Sequence, residues 1–158
     1  MQKHFLLNIL FSIVWVAVTG EPTFNNFFFG FFLSFLIMWA VSAQSIDQRY
    51  FRLVPKTIGL FFYFILELIK ANLQVAFDVS TPHYFMKPAI IAIPLEIQSD
   101  LGITLLANFI TLTPGTLSLD VSDDKSTLYV HAMYIFNRQE FIDHIKNGFE
   151  KRLLEIME

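Results

Sequence analysis

Two long apolar runs fill the N-terminal part of the chain. Residues 5–20 and 24–43 consist mainly of apolar side chains, and the second run carries no charged residue. A helix of about 20 residues rises about 30 Å, which matches the hydrocarbon core of a bilayer. The pattern predicts a transmembrane hairpin over residues 1–43, with spans at about 3–20 and 24–43. A cleaved signal peptide is the alternative for the first run, but the second run that follows at once favours the hairpin.

Small residues in the second span predict close helix packing. Gly30 and Ser34 are four positions apart, a spacing that lets the backbone of a neighbouring helix approach. The neighbour is either the first span of the same hairpin or a helix of a partner subunit, and the sequence leaves both open. Phenylalanines of this span point to all sides of the helix, so lipid or another protein must cover them.

Basic residues after the second span predict the orientation of the hairpin. Arg49, Arg52 and Lys56 fall within residues 44–56, together with a single acidic residue. Loops rich in Lys and Arg remain in the cytoplasm, so we expect a cytoplasmic loop here and a cytoplasmic N-terminus.

Residues 57–79 predict a long helix with one polar stripe. The stripe recurs at steps of three and four residues and consists of Tyr63, Glu67, Lys70, Gln74 and Asp78. An amphipathic helix at the cytoplasmic interface explains the stripe, and a third span is the alternative. A third span would place the C-terminal residues outside the cell. We therefore favour a segment 44–80 made of a basic cytoplasmic loop and an amphipathic helix.

Polar side chains on this helix are the candidates for transport chemistry or for an interface. Glu67 and Lys70 can pair across one helical turn. At membrane depth, ionisable residues such as these two would be candidates for a proton or sodium path. The alternatives are a charge pair neutralised in place and, for Asn72, a hydrogen bond between helices.

Residues 85–158 predict a small α+β domain. Its first strand is expected at a sheet edge, because Pro88 and Pro94 each remove a ladder hydrogen bond. A helix, a β-hairpin with a polar turn and a closing amphipathic helix follow. The order β-α-β-β-α comprises residues 88–98, 101–113, 117–121, 128–134 and 138–157.

A break separates the helix predicted at 101–113 from the hairpin. Pro114 lacks a donor N–H and clashes with a preceding helical turn, and Gly115 accepts a positive φ, so the helix should end there. From Leu117 to Val121 apolar residues then alternate with polar ones, which predicts a half-buried strand.

Composition narrows the classes of function. The chain is 54% hydrophobic with 19 Phe, more aromatic bulk than a soluble domain of 158 residues can hide. It has no Cys, which excludes disulfides and thiol chemistry. The net charge is −3, and residues 81–158 hold ten acidic and six basic side chains. That acidic half does not favour binding to nucleic acid or electrostatic docking on anionic lipid.

The sequence lacks the common motifs for metals, cofactors and catalysis. The four histidines lack metal-ligand spacing, and Asp120, Asp123 and Asp124 lack the glycine and the distal glutamate of a calcium loop. His131 is expected to be a packed or surface histidine. The chain contains neither a phosphate loop nor a nucleophile elbow. The sequence predicts no metal, no cofactor and no enzyme.

Several stretches together resemble one bacterial family. They are Leu-Thr-Pro-Gly-Thr at 112–116, Leu119-Asp120-Val121, Asp123-Asp124, Tyr129-Val130-His131-Ala132-Met133, Glu67-Leu68 and Lys70-Ala71-Asn72. The set resembles the E subunit of the Mrp-type multisubunit sodium/proton antiporter, over essentially the whole chain. The resemblance implies signature or structural roles for Thr111, Thr113, Pro114, Gly115, Thr116, Asp120 and His131.

The resemblance also implies a function. It implies an accessory subunit of the bacterial plasma membrane that assembles or supports a complex exchanging sodium ions for protons. It also implies that this subunit borders the cation path through Glu67, Asn72 or Asp78. The cytoplasmic position of the C-terminal domain is expected from the basic residues after the second span. The implied partners are subunits A, B, C, D, F and G and membrane lipid. The residues alone indicate a partner-dependent subunit, since a transporter that acts alone usually needs more spans and buried ionisable groups. The competing hypothesis is a standalone membrane-tethered module that recruits a partner through its acidic domain.

Overall fold

The computed structural model of the chain describes residues 2–42, 49–82 and 86–157. Contacts between residues divide the chain into two compact units, Met1–Pro55 (unit 1) and Lys56–Glu158 (unit 2). The helices and strands are α1 (Gln2–Thr19), α2 (Phe24–Ser42), α3 (Arg49–Ser80), β1 (Ala89–Pro94), α4 (Asp100–Leu112), β2 (Thr116–Val121), β3 (Thr127–Ala132), α5 (Arg138–Ile145) and α6 (Lys151–Met157). The predicted combination of long apolar helices with a small sheet is confirmed.

Unit 1 contains a pair of apolar helices, α1 and α2, joined by a short connection. Gly20 follows α1 with a φ of 71°, a conformation that glycine adopts without strain. Trp15 Nε1 donates to Asn26 Oδ1 at 2.9 Å, and Asn26 Nδ2 donates to the Glu21 carbonyl at 2.8 Å. These bonds fix the turn from one helix into the next. Residues 43–48, which include the predicted end of the second span, lie outside the described ranges.

The chain is helical from Arg49, so the prediction of a loop over 44–56 is wrong from that residue onward. Aromatic packing explains the helix. Tyr50 and Phe51 are buried, and the Phe35 ring lies 5.8 and 5.5 Å from their centroids. Tertiary packing of this kind stabilises a helix more than local composition does.

Unit 2 is built on an antiparallel sheet with strand order β1-β3-β2. The prediction that the first strand lies at an edge is confirmed, and β1 ends at Pro94. Ile91 and Ile93 pair with Val130 and Leu128, and all four are buried. They join apolar side chains of α4, α5, α6 and α3 in one core. The C-terminal elements follow the predicted order β-α-β-β-α.

A register shift between Ser118 and Asp120 changes which side chains of β2 are buried. The regular alternation predicted for this strand is therefore wrong. Leu117 and Leu119 are exposed, whereas Val121 packs on the core. Ser118 Oγ donates to a main-chain carbonyl of α4 at 3.0 Å, which holds a polar side chain on the inner face. An extra residue in one strand of an antiparallel pair produces such a reversal.

A single π-helical turn, Lys146–Glu150, interrupts the helix predicted at 138–157. The predicted apolar face is confirmed, because Ile145, Phe149 and Leu153 are buried. The π turn was not predicted. It makes three consecutive residues buried, from Gly148 to Glu150, which a regular amphipathic helix does not allow.

The π turn places the Glu150 carboxylate inside unit 2, with 1% of the residue exposed. Its Oε1 accepts the main-chain N–H of Glu96 at 2.6 Å and of Ile97 at 3.2 Å. Lys146 Nζ lies 3.2 Å from Glu150 Oε2 and 2.9 Å from Glu96 Oε1. Burial lowers the pKa of Lys146, but the two carboxylates outweigh this effect and raise the pKa overall. Glu150 thus fastens the segment after β1 to the C-terminal helix.

Candidate functional site

The polar stripe of α3 faces the rest of unit 2. Leu60 belongs to the buried core, and the Tyr63 ring packs edge-on against Phe149 at 5.1 Å. The Arg152 guanidinium lies 4.0 Å from the centroid of the Tyr63 ring. The opposite face of α3 exposes Ile58, Phe61, Phe62, Leu66, Ile69, Leu73 and Phe77. The helix therefore turns Glu67 and Asp78 of the stripe inward and its apolar side outward, whereas Lys70 and Gln74 remain exposed.

Glu67 is the polar centre of the contact between α3 and the domain. The residue is 8% exposed. Its Oε1 accepts from Lys70 Nζ at 2.7 Å, and its Oε2 lies 3.1 Å from His144 Nε2 in α5. Lys70 pairs within α3, whereas His144 joins α3 to α5. The predicted pair of Glu67 and Lys70 is present, and a third residue extends it to another element.

A cavity of about 260 Å³ adjoins the Glu67 carboxylate. Lys70 and His144 line it beside Glu67, and apolar side chains such as Phe149 form part of its wall. Its other polar or signature residues are Gln74, Thr113, Pro114, Gly115, Thr116 and Tyr134. The fold thus brings the stripe of α3 and the predicted helix break to one place. Within the described ranges, no group of three or more His, Asp or Glu side chains is arranged to hold a metal ion.

The predicted end of the helix at Pro114 is confirmed. α4 ends at Leu112, and Thr113 has φ −81° and ψ 118°, the extended conformation that a residue before proline prefers. Gly115 then takes a φ of 87°. A Cβ at this position would lie 3.2 Å from the Tyr134 ring, so a side chain would be both strained and crowded.

The threonines around the break bind backbone groups. Thr113 Oγ1 donates to the Phe109 carbonyl at 2.9 Å, and Thr116 Oγ1 donates to the Thr113 carbonyl at 2.8 Å. Thr111 Oγ1 accepts the main-chain N–H of Ser118 at 3.1 Å in the edge strand β2. Unpaired groups on a sheet edge invite pairing with other chains, so this bond protects the edge.

Asp78 is buried near the end of α3, and its carboxylate contacts the phenol of Tyr134. Burial raises the pKa of the Tyr134 phenol, and the hydrogen bond and negative charge of Asp78 raise it further. Tyr134 therefore keeps its proton and donates to Asp78. The other carboxylate oxygen of Asp78 has no hydrogen-bond partner among the described residues.

Other predicted residues do not line the cavity. Asn72 is exposed and donates to the Leu68 carbonyl of its own helix at 2.7 Å. Asp120 Oδ1 accepts the N–H of the next residue at 2.8 Å. His131 is half-buried and lies between Ile90 and Leu117 in the sheet register.

In unit 1, Gly30 lies against α1. A Cβ at Gly30 would come within 2.7 Å of the Trp15 ring, and Ser34, one turn further along α2, is buried. Of the two neighbours that the sequence left open, the first helix of the same chain occupies the space beside Gly30.

Sequence reasoning missed His144 and Arg152. His144 is 77 residues from Glu67, and no local spacing indicates such a pair. The polar stripe contained a partial signal, since a buried carboxylate requires a hydrogen-bonding partner from the surface that covers it.

Comparison with known sequences gives one family. The profile of the family described as Na+/H+ ion antiporter subunit matches residues 8–156. The E1 subunit of the Na(+)/H(+) antiporter of Staphylococcus saprophyticus is 36% identical over 158 residues, which cover 100% of this chain and 99% of the relative. The E subunit of the Na(+)/H(+) antiporter of Bacillus subtilis is 36% identical over 156 residues, or 99% of each chain.

Two solved structures contain chains similar to this one. A chain of the membrane-bound sulfane sulfur reductase, an archaeal respiratory membrane complex, is 27% identical with a TM-score of 0.55, covering 97% of this chain and 98% of that one. A chain of the Mrp complex from Dietzia sp. is 27% identical with a TM-score of 0.50, covering 66% of this chain and 98% of that one. Each of the two similar chains belongs to a complex.

Proposed function

The chain belongs to the E-subunit family of Na+/H+ antiporters, and on this premise we propose that it is an accessory subunit of a multisubunit antiporter that exchanges Na+ for H+. The observation that carries the proposal is the end-to-end match, at 36% identity, with a protein named as the E1 subunit of an antiporter. The similar chain in the Mrp complex supports other antiporter subunits as partners.

The first part of the proposal concerns how the protein is anchored in the plasma membrane. α1 and α2 expose most of their large apolar side chains, and Phe24–Val41 is long and apolar enough to span a bilayer. We propose that the pair forms a transmembrane hairpin with its N-terminus inside the cell. The acidic domain then lies in the cytoplasm, because basic residues concentrate after α2.

The position of α3 is the second part. Length and composition would allow α3 to span a membrane. However, Leu60 and Asp78 of α3 pack on the rest of unit 2. A spanning α3 would carry the polar surface of that domain into hydrocarbon, which is very costly. We propose that α3 lies at the cytoplasmic interface with its apolar face toward lipid or neighbouring subunits.

The role within the complex is the third part. Glu67 is neutralised by Lys70 and adjoins His144, and the threonines of the break bind backbone groups. Side chains engaged in this way support an architectural role, in assembly and support of the complex. Asp78 has one buried carboxylate oxygen without a hydrogen-bond partner among the described residues, and it is the residue of α3 whose contacts best fit a place beside an ion path.

Purification tests the central proposal. A tagged copy extracted from the native membrane in mild detergent should be recovered in one large complex with several multi-span proteins. Deletion of the gene should abolish Na+/H+ exchange in membrane vesicles, and a plasmid copy should restore it. Recovery of the chain alone, with exchange intact after deletion, would instead support the membrane-tethered interaction module.

Thiol labelling tests the topology, and the absence of Cys in the chain makes each introduced label unique. Asp123→Cys, in the exposed turn before β3, should resist a membrane-impermeant reagent in intact cells and react after permeabilisation. Glu21→Cys, between α1 and α2, is the matched control and should react in intact cells. Labelling of Asp123→Cys in intact cells would contradict a cytoplasmic domain.

A further inference from the structure

The two edges of the sheet in unit 2 differ in whether their outward N–H groups are bound within the chain. On β2, the N–H groups that point away from β3 are those of Thr116, Ser118 and Val121. Their acceptors are, in the same order, the Thr113 carbonyl at 3.2 Å, Thr111 Oγ1 at 3.1 Å and Asp120 Oδ1 at 2.8 Å. The chain therefore closes the edge of β2 by itself.

The edge of β1 is open over a short stretch. In the ladder with β3, the odd-numbered residues of β1 turn their N–H groups toward β3 and the even-numbered residues turn theirs outward. Pro88 and Pro94 have no N–H to offer. The N–H groups of Ile90 and Ala92 have no acceptor among the described residues, and Ile90 is 60% exposed. Unpaired groups on a sheet edge are a template for pairing with another strand.

We propose that this edge pairs with the same edge of a second copy of the chain, as two antiparallel strands related by a two-fold axis at Ile91. In this register Ile90 of one copy faces Ala92 of the other. Residues that face each other in this way exchange both of their N–H···O bonds, so each free N–H group finds an acceptor. The pairing would join the two sheets edge to edge into one.

The positions of the prolines favour a second copy over a strand of another protein. Pro88 and Pro94 are equally spaced on either side of Ile91, so each proline faces a proline of the other copy. Lys146 Nζ already donates to the Pro94 carbonyl at 3.1 Å. A residue other than proline at this position would bring an N–H that competes for the same carbonyl, whereas a proline brings none. The edge of β1 is therefore complementary to itself.

Charges at the two ends of β1 fit the same register. Lys87 is exposed just before the strand, and Glu96 has an exposed side chain just after it. Antiparallel pairing brings Lys87 of each copy toward Glu96 of the other, and it keeps like charges at opposite ends. On the face between them, Ile90 gains an apolar neighbour in Ala92 of the second copy, which covers part of an exposed side chain.

Cysteine cross-linking in the native membrane tests the pairing, and the lack of Cys in the chain makes each introduced thiol unique. Two differently tagged copies, one with Ile90→Cys and one with Ala92→Cys, are expressed together and oxidised by copper-catalysed air oxidation. Facing residues lie about 5.5 Å apart at Cα, within the reach of a disulfide. Two copies of the same variant place their thiols on a diagonal of about 7–8 Å. We expect the mixed cross-link to exceed either like-with-like cross-link by about tenfold.

The closed edge of β2 supplies the matched control for cross-linking. Leu117→Cys and Leu119→Cys place thiols at two exposed positions of that strand. Because the outward N–H groups of β2 are already bound, this pair should give no cross-link between copies.

Removal of one N–H group gives a second test. Ala92→Pro deletes a free N–H and breaks no bond within the chain, since the prolines of β1 already occupy outward positions. Ala92→Val keeps the N–H and is its control. In the complex purified in mild detergent, Ala92→Pro should speed exchange of the Ile90 amide by about fivefold or more and leave the β3 amides unchanged. Ala92→Val should exchange as the wild type does.

Two results would overturn the pairing. Slow exchange of the Ile90 amide without a cross-link between copies would assign the edge to a strand of another protein. Fast exchange without a cross-link would leave the edge to solvent. The outcome does not depend on the proposed function, since cross-linked copies that co-purify with no antiporter subunit would keep the pairing and refute only the function.

Discussion

The helix pair of unit 1 and the domain of unit 2 distribute polar and apolar side chains in opposite ways. Asn8 and Ser12 are fully buried in unit 1, while Phe24 is 86% exposed. In unit 2 the fully buried side chains are mainly apolar, such as Ile93 and Leu128, although the carboxylate of Glu150 is buried with them. Water drives apolar groups inward, whereas helices in lipid associate through small and polar contacts. The difference supports the proposal that the helix pair lies in lipid and the domain of unit 2 in water.

α3 combines both distributions on one helix. Its inward face carries a core residue, Leu60, and a buried carboxylate, Glu67, that pairs with the exposed Lys70, as a helix of a soluble domain would. Its outward face exposes side chains such as Phe61 and Leu73, as the helices of unit 1 do. The two faces of α3 therefore differ in their exposed and buried side chains in the same way as the two units do.

Removing a phenyl ring should give the largest contrast between the units. Phe149 is buried against the rings of Tyr63 and Phe109, so Phe149→Ala should destabilise unit 2 by about 3–5 kcal/mol. Phe28→Ala removes the same atoms from an exposed site of α2 and should change the stability of the helix pair by less than about 0.5 kcal/mol. Opening free energies from hydrogen exchange of β3 and of α2 measure both. Similar losses would contradict the comparison.

Loss of a buried carboxylate should come next. Glu150→Ala leaves the N–H groups of Glu96 and Ile97 without their acceptor and should cost unit 2 about 2–4 kcal/mol. Glu155→Ala removes a half-exposed carboxylate of the same helix and should cost less than about 1 kcal/mol. Exchange of the β1 amides reports both. Equal effects would show that burial of Glu150 contributes nothing.

Replacing glycine by alanine should change stability in opposite directions at a crowded position and at an open one. Gly30→Ala places a Cβ 2.7 Å from Trp15 and should destabilise the helix pair by about 1–3 kcal/mol. At Gly59, on α3, nothing lies within 4 Å of an added Cβ, so Gly59→Ala should stabilise α3 by about 0.5–1 kcal/mol. Denaturant titration of the full chain, followed by exchange in α2 and α3, gives the two signs. A stabilising Gly30→Ala would show that α1 does not pack there.

The smallest expected effect is on the stability of unit 2 at acidic pH. Hydrogen bonds from Ser122 and Ser126 lower the pKa of the exposed Asp124 carboxyl below its usual value of 3.8. A lowered folded-state pKa gives stabilisation that is present above about pH 4 and lost as pH falls through the folded value. Asp124→Asn should therefore remove a small part of the acid sensitivity of unit 2 and leave α1 and α2, which contain no carboxylate, unchanged. Exchange of the β3 amides between pH 3 and 6 measures it; an unaltered pH profile would contradict the assignment.

Sequence patterns correctly predicted the helices and helix ends that depend only on neighbouring residues. The apolar runs gave α1 and α2, and Pro114 with Gly115 gave the end of α4, because helix length and backbone angles depend on neighbouring residues. The stripe on α3 identified Glu67 and its partner one turn away for the same reason. The family resemblance, which rests on residues such as Thr113 and Gly115, supplied the function that no local pattern contains.

Predictions failed where the structure depends on contacts between residues that are far apart in the sequence. The helix begins by Arg49 because Tyr50 and Phe51 pack on Phe35, and loop-like composition did not reveal this. The bulge at Ser118 depends on pairing with β3 and on an acceptor in α4. His144 meets Glu67 only after the sheet and α5 have formed.

The π turn at Lys146–Glu150 absorbs one extra residue in the C-terminal helix. In a regular α-helix, at about 100° per residue, the eight steps from Ile145 to Leu153 would leave the two side chains about 80° apart. Because the π turn takes up one residue without advancing the helix by that angle, both side chains lie on one face and are buried. Deletion of one residue within the turn should therefore leave an α-helical turn with Leu153 still in the core. What such a deletion would remove is the run of three buried residues that ends at Glu150.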